Sequence, residues 1–156
     1  MLRDEYIALL PGHDTETISE NAMLFEEFLA KEYDAGKLKL RLQPLEHSKA
    51  LLHGHCHQKA FATMSSVQKV LSLIPNLQIT TVNGSCCGMA GSFGYQKETY
   101  DLSLRMGEMS ILPAARKAED TTLIIADGTS CRHQIFDGAQ KKAQHVVRVL
   151  DRAMVQ

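Results

Sequence analysis

The order of apolar patterns along this 156-residue chain predicts an α/β fold, a mostly parallel sheet flanked by helices in a Rossmann-like, three-layer architecture. Two observations carry that expectation. Short apolar runs of strand length alternate with longer segments whose apolar residues recur at helical spacing. All three cysteine-bearing segments also follow predicted strands, as ligand sites do in open sheets of parallel strands.

The first helical signal runs from about Thr17 to Tyr33, with Ile18, Ala22, Phe25 and Leu29 on one face, Thr17 and Glu20 spaced as a capping box, and Gly36 closing it. Leu38, Leu40 and Leu42 then alternate with Lys39 and Arg41, and Ala50-Leu51-Leu52-His53 reads as a short buried strand. From Gln58 to Ile74 the apolar residues keep helical spacing until Pro75 stops them, and Leu77 to Val82 is the next strand. Asn83 to Gly94 holds glycines at 84, 88, 91 and 94, a composition suited to a binding loop that allows close backbone approach. Residues 96–118 read as helix, bent or broken by Gly107 and Pro113. Thr122 to Ala126 is the clearest buried strand, followed by helices over Cys131–Ala143 and His145–Met154.

Composition narrows the function classes. Hydrophobic residues make up 44% and charged residues 22%, which suits one domain with a real core over residues 1–156. Seventeen basic residues balance eighteen acidic ones without a basic stripe, so nucleic acid is not an expected partner. No apolar run approaches the length of a transmembrane segment. The start, Met1-Leu2-Arg3-Asp4-Glu5, lacks the layout of a secretory signal, so a reducing cytoplasm with free or metal-bound thiols is expected.

The four cysteines are Cys56 in His53-Gly54-His55-Cys56-His57, the pair Cys86-Cys87 in Gly84-Ser85-Cys86-Cys87-Gly88, and Cys131 in Asp127-Gly128-Thr129-Ser130-Cys131. Thiolates are soft ligands that select iron-sulfur clusters, zinc or copper(I), and adjacent cysteines can meet one metal centre or one oxidant. A buried cysteine can equally be plain core, yet a glycine-rich loop is an odd place for core filling. His53, His55 and His57 invite a metal reading, but a histidine beside a cluster more often donates a hydrogen bond to sulfur or a carbonyl. Lys59 and the start of a helix would both favour a thiolate at Cys56. No paired-carboxylate or Ser-His-Asp pattern supports hydrolysis.

From about Leu51 onward these motifs resemble the cysteine-rich (CCG) domain of heterodisulfide reductase subunits and of the iron-sulfur subunits of glycolate oxidase and anaerobic glycerol-3-phosphate dehydrogenase. That pattern is a lone Cys, then Cys-Cys-Gly, then Cys-x-x-Cys, matched in order by Cys56, Cys86-Cys87-Gly88 and Cys131. The stretch Asp127-Gly128-Thr129-Ser130-Cys131-Arg132-His133-Gln134-Ile135 is similar to the extreme C-terminus of bacterial FAD-linked oxidases of the D-2-hydroxy-acid dehydrogenase kind. Two departures stand out: Gly128 replaces the first Cys of Cys-x-x-Cys, and Gly54-His55 replaces Asp-Pro before the lone Cys. Five thiolates are thereby reduced to four, enough for a four-iron four-sulfur cluster or for tetrahedral zinc.

The resemblance implies an iron-sulfur electron-transfer domain of a FAD-linked 2-hydroxy-acid oxidoreductase. Cys56, Cys86, Cys87 and Cys131 would hold the cluster. Gly84, Gly88 and Gly91 would let backbone N–H groups approach sulfur, with His57 and His133 around them. FAD would sit in a missing or partner domain, and the partners would be a flavin-containing dehydrogenase and an electron acceptor such as a quinone, with attachment at the inner membrane only through partners. The chain is expected to be the C-terminal part of a longer enzyme, inactive on substrate by itself. Two other readings need no such cluster: a thiol-disulfide module using Cys86-Cys87, and a structural zinc or docking domain.

Overall fold

The computed structural model describes residues 1–84 and 86–155 and divides into two compact units, Met1–Leu38 and Lys39–Gln156. The first unit is helical: α1 (Glu5–Leu9), α2 (His13–Asn21) and α3 (Phe25–Asp34). The single helix expected over Thr17–Tyr33 is two, because Ala22 and Leu24 adopt extended backbone. Each piece terminates on its own polar contacts. The Asn21 amide donates to Thr17 O at 2.8 Å, and the Glu27 carboxylate reaches back to accept from Leu24 N at 2.7 Å. Thr17 spends its hydroxyl on His13 O inside α2 instead of capping a helix. A two-pronged ion pair from Arg3, at 2.9 and 3.0 Å, fixes Glu27. Gly36 closes α3 with φ of +66°.

The second unit holds the α/β fold. Its strands are β1 (Lys49–His53), β2 (Gln78–Thr81), β3 (Thr122–Ala126) and β4 (Ala143–Gln144), all parallel, in the order β2-β1-β3-β4. Around them lie α4 (Cys56–Ala60), α5 (Met64–Ser72), α6 (Tyr100–Glu108), α7 (Ile111–Lys117), α8 (Thr129–Ala139) and α9 (Val146–Ala153). Both faces of the sheet are covered, as parallel strands require. Helix α5 contacts α9, while α6, α7 and α8 contact one another. Ile124 and Ala126 pack with Ile111, Leu112, Ala115, Cys131 and Ile135 into one cluster. Leu123 and Ile125, equally buried, alternate with them along β3 and so face the opposite side.

Differences from the sequence reading have local causes. The helix expected over Gln58–Ile74 breaks at Ala62, whose φ of +55° turns the chain, while the Thr63 hydroxyl donates to Gln58 O at 3.1 Å. Residues 96–118 form two helices, with Pro113 third in α7, where its missing N–H costs no intrahelical bond. Helix α8 stops at Ala139 because Gln140 is left-handed, and the residues beyond it supply β4, too short to show a period. The alternating leucines at 38, 40 and 42 form no strand; Leu42 makes a single antiparallel bridge to Met154.

Strands β1 and β3 are neighbours and end level, His53 beside Ala126. From β1 the chain goes outward to β2 on one side, and later to β3 and β4 on the other. The order therefore reverses between β1 and β3, which opens a crevice outside their carboxyl ends.

Candidate metal centre

The three cysteine segments meet at that crevice. Cys56 opens α4, three residues beyond β1; Cys86 and Cys87 lie on the loop after β2; Cys131 sits in the first turn of α8, after β3. Cys87 and Cys131 are 2% and 1% exposed, Cys86 is half-buried, and Cys56 is at the surface. All four are free thiols. A ring nitrogen of His53 and the sulfurs of Cys87 and Cys131 lie within 4.8 Å of one another. Cys56 and Cys86 are hydrogen-bonded to each other and form an outer pair.

Two corner residues hold these segments together. The Gln58 amide donates to Asp127 Oδ2 at 2.5 Å, while Gln58 Oε1 accepts from His55 N at 2.9 Å, locking the turn after β1 to the turn after β3. Asp127 Oδ1 accepts from Val146 N at 2.8 Å and so engages the start of α9. Arg132 donates to Ala126 O at 3.0 Å and Asp127 O at 2.6 Å, closing the β3–α8 turn. Lys59 Nζ donates to Gly84 O at 2.7 Å, at the base of the cysteine loop.

The site's electrostatics separate the thiols. The hydrogen bond from Cys131 holds Cys87 well below the usual thiol range; burial opposes this, and hydrogen bonds from His53 and Met89 N assist it. Cys131 is pushed upward by that same bond, by burial and by repulsion from the charge on Cys87, so the proton stays on its sulfur. Cys56 is raised first by burial and then by its contact with Cys86, and attraction to Lys59 is the smallest influence. The thiolate that Lys59 would favour is thus overruled by burial first and by the neighbouring sulfurs second. The inner pair is thus biased toward giving up one proton, the direction that metal binding requires.

The other predicted residues fall around this set. Gly88 N donates to Cys86 Sγ at 3.3 Å, and Gly88 has φ of +91° with carbonyl Ser103 O only 2.1 Å from where a Cβ would stand, so no side chain fits. Gly84 offers its carbonyl to Lys59, and Gly91 is left-handed with open space beside it. His57 is exposed, its N–H donating to His55 Nδ1 at 3.3 Å. His133 is also exposed and pairs through Nδ1 with Tyr95 Oη at 2.6 Å.

Sequence reasoning misses Gln58 and Asp127 and does not separate His53 from the histidines beside it. Gln58 and Asp127 look like ordinary polar residues until the fold joins them. The one available signal for His53 is a histidine ending an apolar strand.

The departures at Gly128 and His55 are spatially one change. A Cβ on Gly128 would stand 2.3 Å from His55 Cδ2 and 2.9 Å from Cys131 Sγ. The His55 ring thus takes the space that a side chain at 128 would need.

Fold and site together define an α/β domain with a cluster of thiols and one imidazole at the switch point of a parallel sheet, a donor set that fits iron-sulfur or zinc. The chain is 30% identical over 155 residues to a subunit of the anaerobic glycerol-3-phosphate dehydrogenase of Escherichia coli K12, and equally so to its counterpart in strain O157:H7. The match covers 98% of this chain and 37% of each relative. D-2-hydroxyglutarate dehydrogenase of Pseudomonas putida is 29% identical over 101 residues, 64% of this chain and 10% of that enzyme. The chain spans little more than a third of the glycerol-3-phosphate dehydrogenase subunits it matches. No family profile and no solved structure matches it. Among the described residues no helix is long and apolar enough to cross a membrane.

Proposed function

We propose that this chain is an iron-sulfur electron-transfer domain of a FAD-linked 2-hydroxy-acid oxidoreductase, working between a flavin-bearing dehydrogenase partner and an acceptor such as a quinone. The observation that carries the reading is the convergence of all four cysteines on one crevice between β1 and β3. Likeness to a dehydrogenase subunit and to a hydroxy-acid dehydrogenase supports the oxidoreductase setting.

In this reading Cys87 and Cys131 are the inner ligands, Cys86 and Cys56 the outer ones. A bound cluster would supply one-electron chemistry. The chain's own residues prepare for it. The Cys131-to-Cys87 hydrogen bond keeps one thiolate ready, and Gly88 N and Met89 N place backbone N–H groups against Cys86 and Cys87 sulfurs, which tunes the potential of what they hold. The covering helices exclude water from the inner pair, while Cys56 stays at the surface where a partner can approach.

Zinc is the alternative occupant of the same donors. The test is anaerobic purification followed by iron, acid-labile sulfide and zinc analysis. About four irons and four sulfides per chain are expected; stoichiometric zinc in a colourless protein would replace the electron-transfer role with a structural one.

A further inference from the structure

We propose that His53 is a direct ligand of this centre, making it a mixed nitrogen-sulfur site rather than an all-thiolate one. The proposal rests on the reading of the cysteines as metal ligands and adds a donor of a different chemical kind.

Three observations lead to it. His53 is the last residue of β1 and 1% exposed, an unusual place for an imidazole, since strand interiors in parallel sheets are ordinarily apolar. Its Nδ1 is buried and has no hydrogen-bond partner, which leaves a polar atom unsatisfied in the interior unless something occupies the position. A ring nitrogen of His53 also lies within 4.8 Å of both Cys87 Sγ and Cys131 Sγ, and those three residues are all buried. The outer thiols do not match this: Cys56 is exposed and contacts Cys86. The innermost donors are therefore two sulfurs and one nitrogen. Imidazole and thiolate together suit zinc, cadmium or an iron-sulfur centre. His55 and His57 are placed differently, one with its Nδ1 taken by His57 N and the other at the surface.

The test uses the whole chain, freed of bound metal, labelled with 15N-histidine and titrated with 113Cd under anaerobic conditions. The expected result is one cadmium per chain with a one-bond 113Cd–15N coupling, assigned to His53 through its backbone. His53→Gln is expected to lose the coupling and to bind cadmium about tenfold or more weakly, whereas His57→Gln keeps both. Cadmium bound without histidine coupling, coupling to another histidine, or no cadmium binding at all would each overturn the proposal. Assignment on the unmutated chain decides the matter even if His53→Gln does not fold. Iron and sulfide analysis judges the cluster reading separately. A His53–cadmium bond in a chain that never carries iron leaves the mixed site standing and removes the cluster, and the opposite pair of results leaves an all-thiolate cluster.

Discussion

At the scale of single residues, Cys87 carries the most weight, because it is buried, partnered by Cys131, His53 and Met89, and the thiol most strongly shifted toward thiolate. Cys87→Ser is expected to abolish iron incorporation while the chain stays folded, with an unfolding free energy lower by about 1–3 kcal/mol for the hydroxyl left in place of sulfur. Iron content and urea unfolding of the same preparation check both halves. A second expectation concerns the paired departures. Gly128→Cys alone forces a side chain into the His55 ring and should cost about 1–3 kcal/mol. His55→Ala should relieve much of that cost, giving a favourable coupling of about 0.5–3 kcal/mol in a double-mutant cycle. Additive losses would mean that the ring is not the obstacle.

At the scale of elements, the site depends on how α7 seats against its neighbours. Leu112 is fully buried and its methyls approach Gly107 of α6 and Gly138 of α8, where a Cβ would stand 3.0 and 2.6 Å away. The two glycines let three helices close over one leucine, and α8 carries Cys131. Leu112→Ala is expected to cost about 2–5 kcal/mol by opening a cavity there, measured by thermal or urea unfolding. Strands β1, β2 and β3 were legible in the sequence because each falls in a short apolar run bounded by turn residues, and β3 appears with the bounds its composition suggests, whereas the two-residue β4 was read as the end of a helix. The helix breaks at Ala22–Leu24 and Ala62 were not legible. Apolar spacing continues across them, and only local hydrogen bonds and one positive φ reveal the interruption.

At the scale of the whole molecule, the proposed role makes this domain depend on a hydride-accepting partner, since thiolates do not split a hydride into single electrons and a flavin does. Reduction of an artificial acceptor by a 2-hydroxy acid is therefore expected to be absent with this chain alone and to appear when an oxidised flavoprotein partner, whose flavin takes the hydride from the acid, is supplied. Turnover without any flavoprotein would remove the electron-transfer role.

The sequence by itself determined the alternation of strands and helices, the parallel sheet and the placement of every cysteine after a strand, because apolar period and turn chemistry are local properties written in neighbouring residues. Tertiary structure alone decided which donors face inward. His53 and His57 stand four residues apart in one motif, yet one is buried against two sulfurs and the other is exposed. That division follows from β1 ending level with β3 and from the Gln58–Asp127 bond, contacts between segments about seventy residues apart that no local pattern encodes.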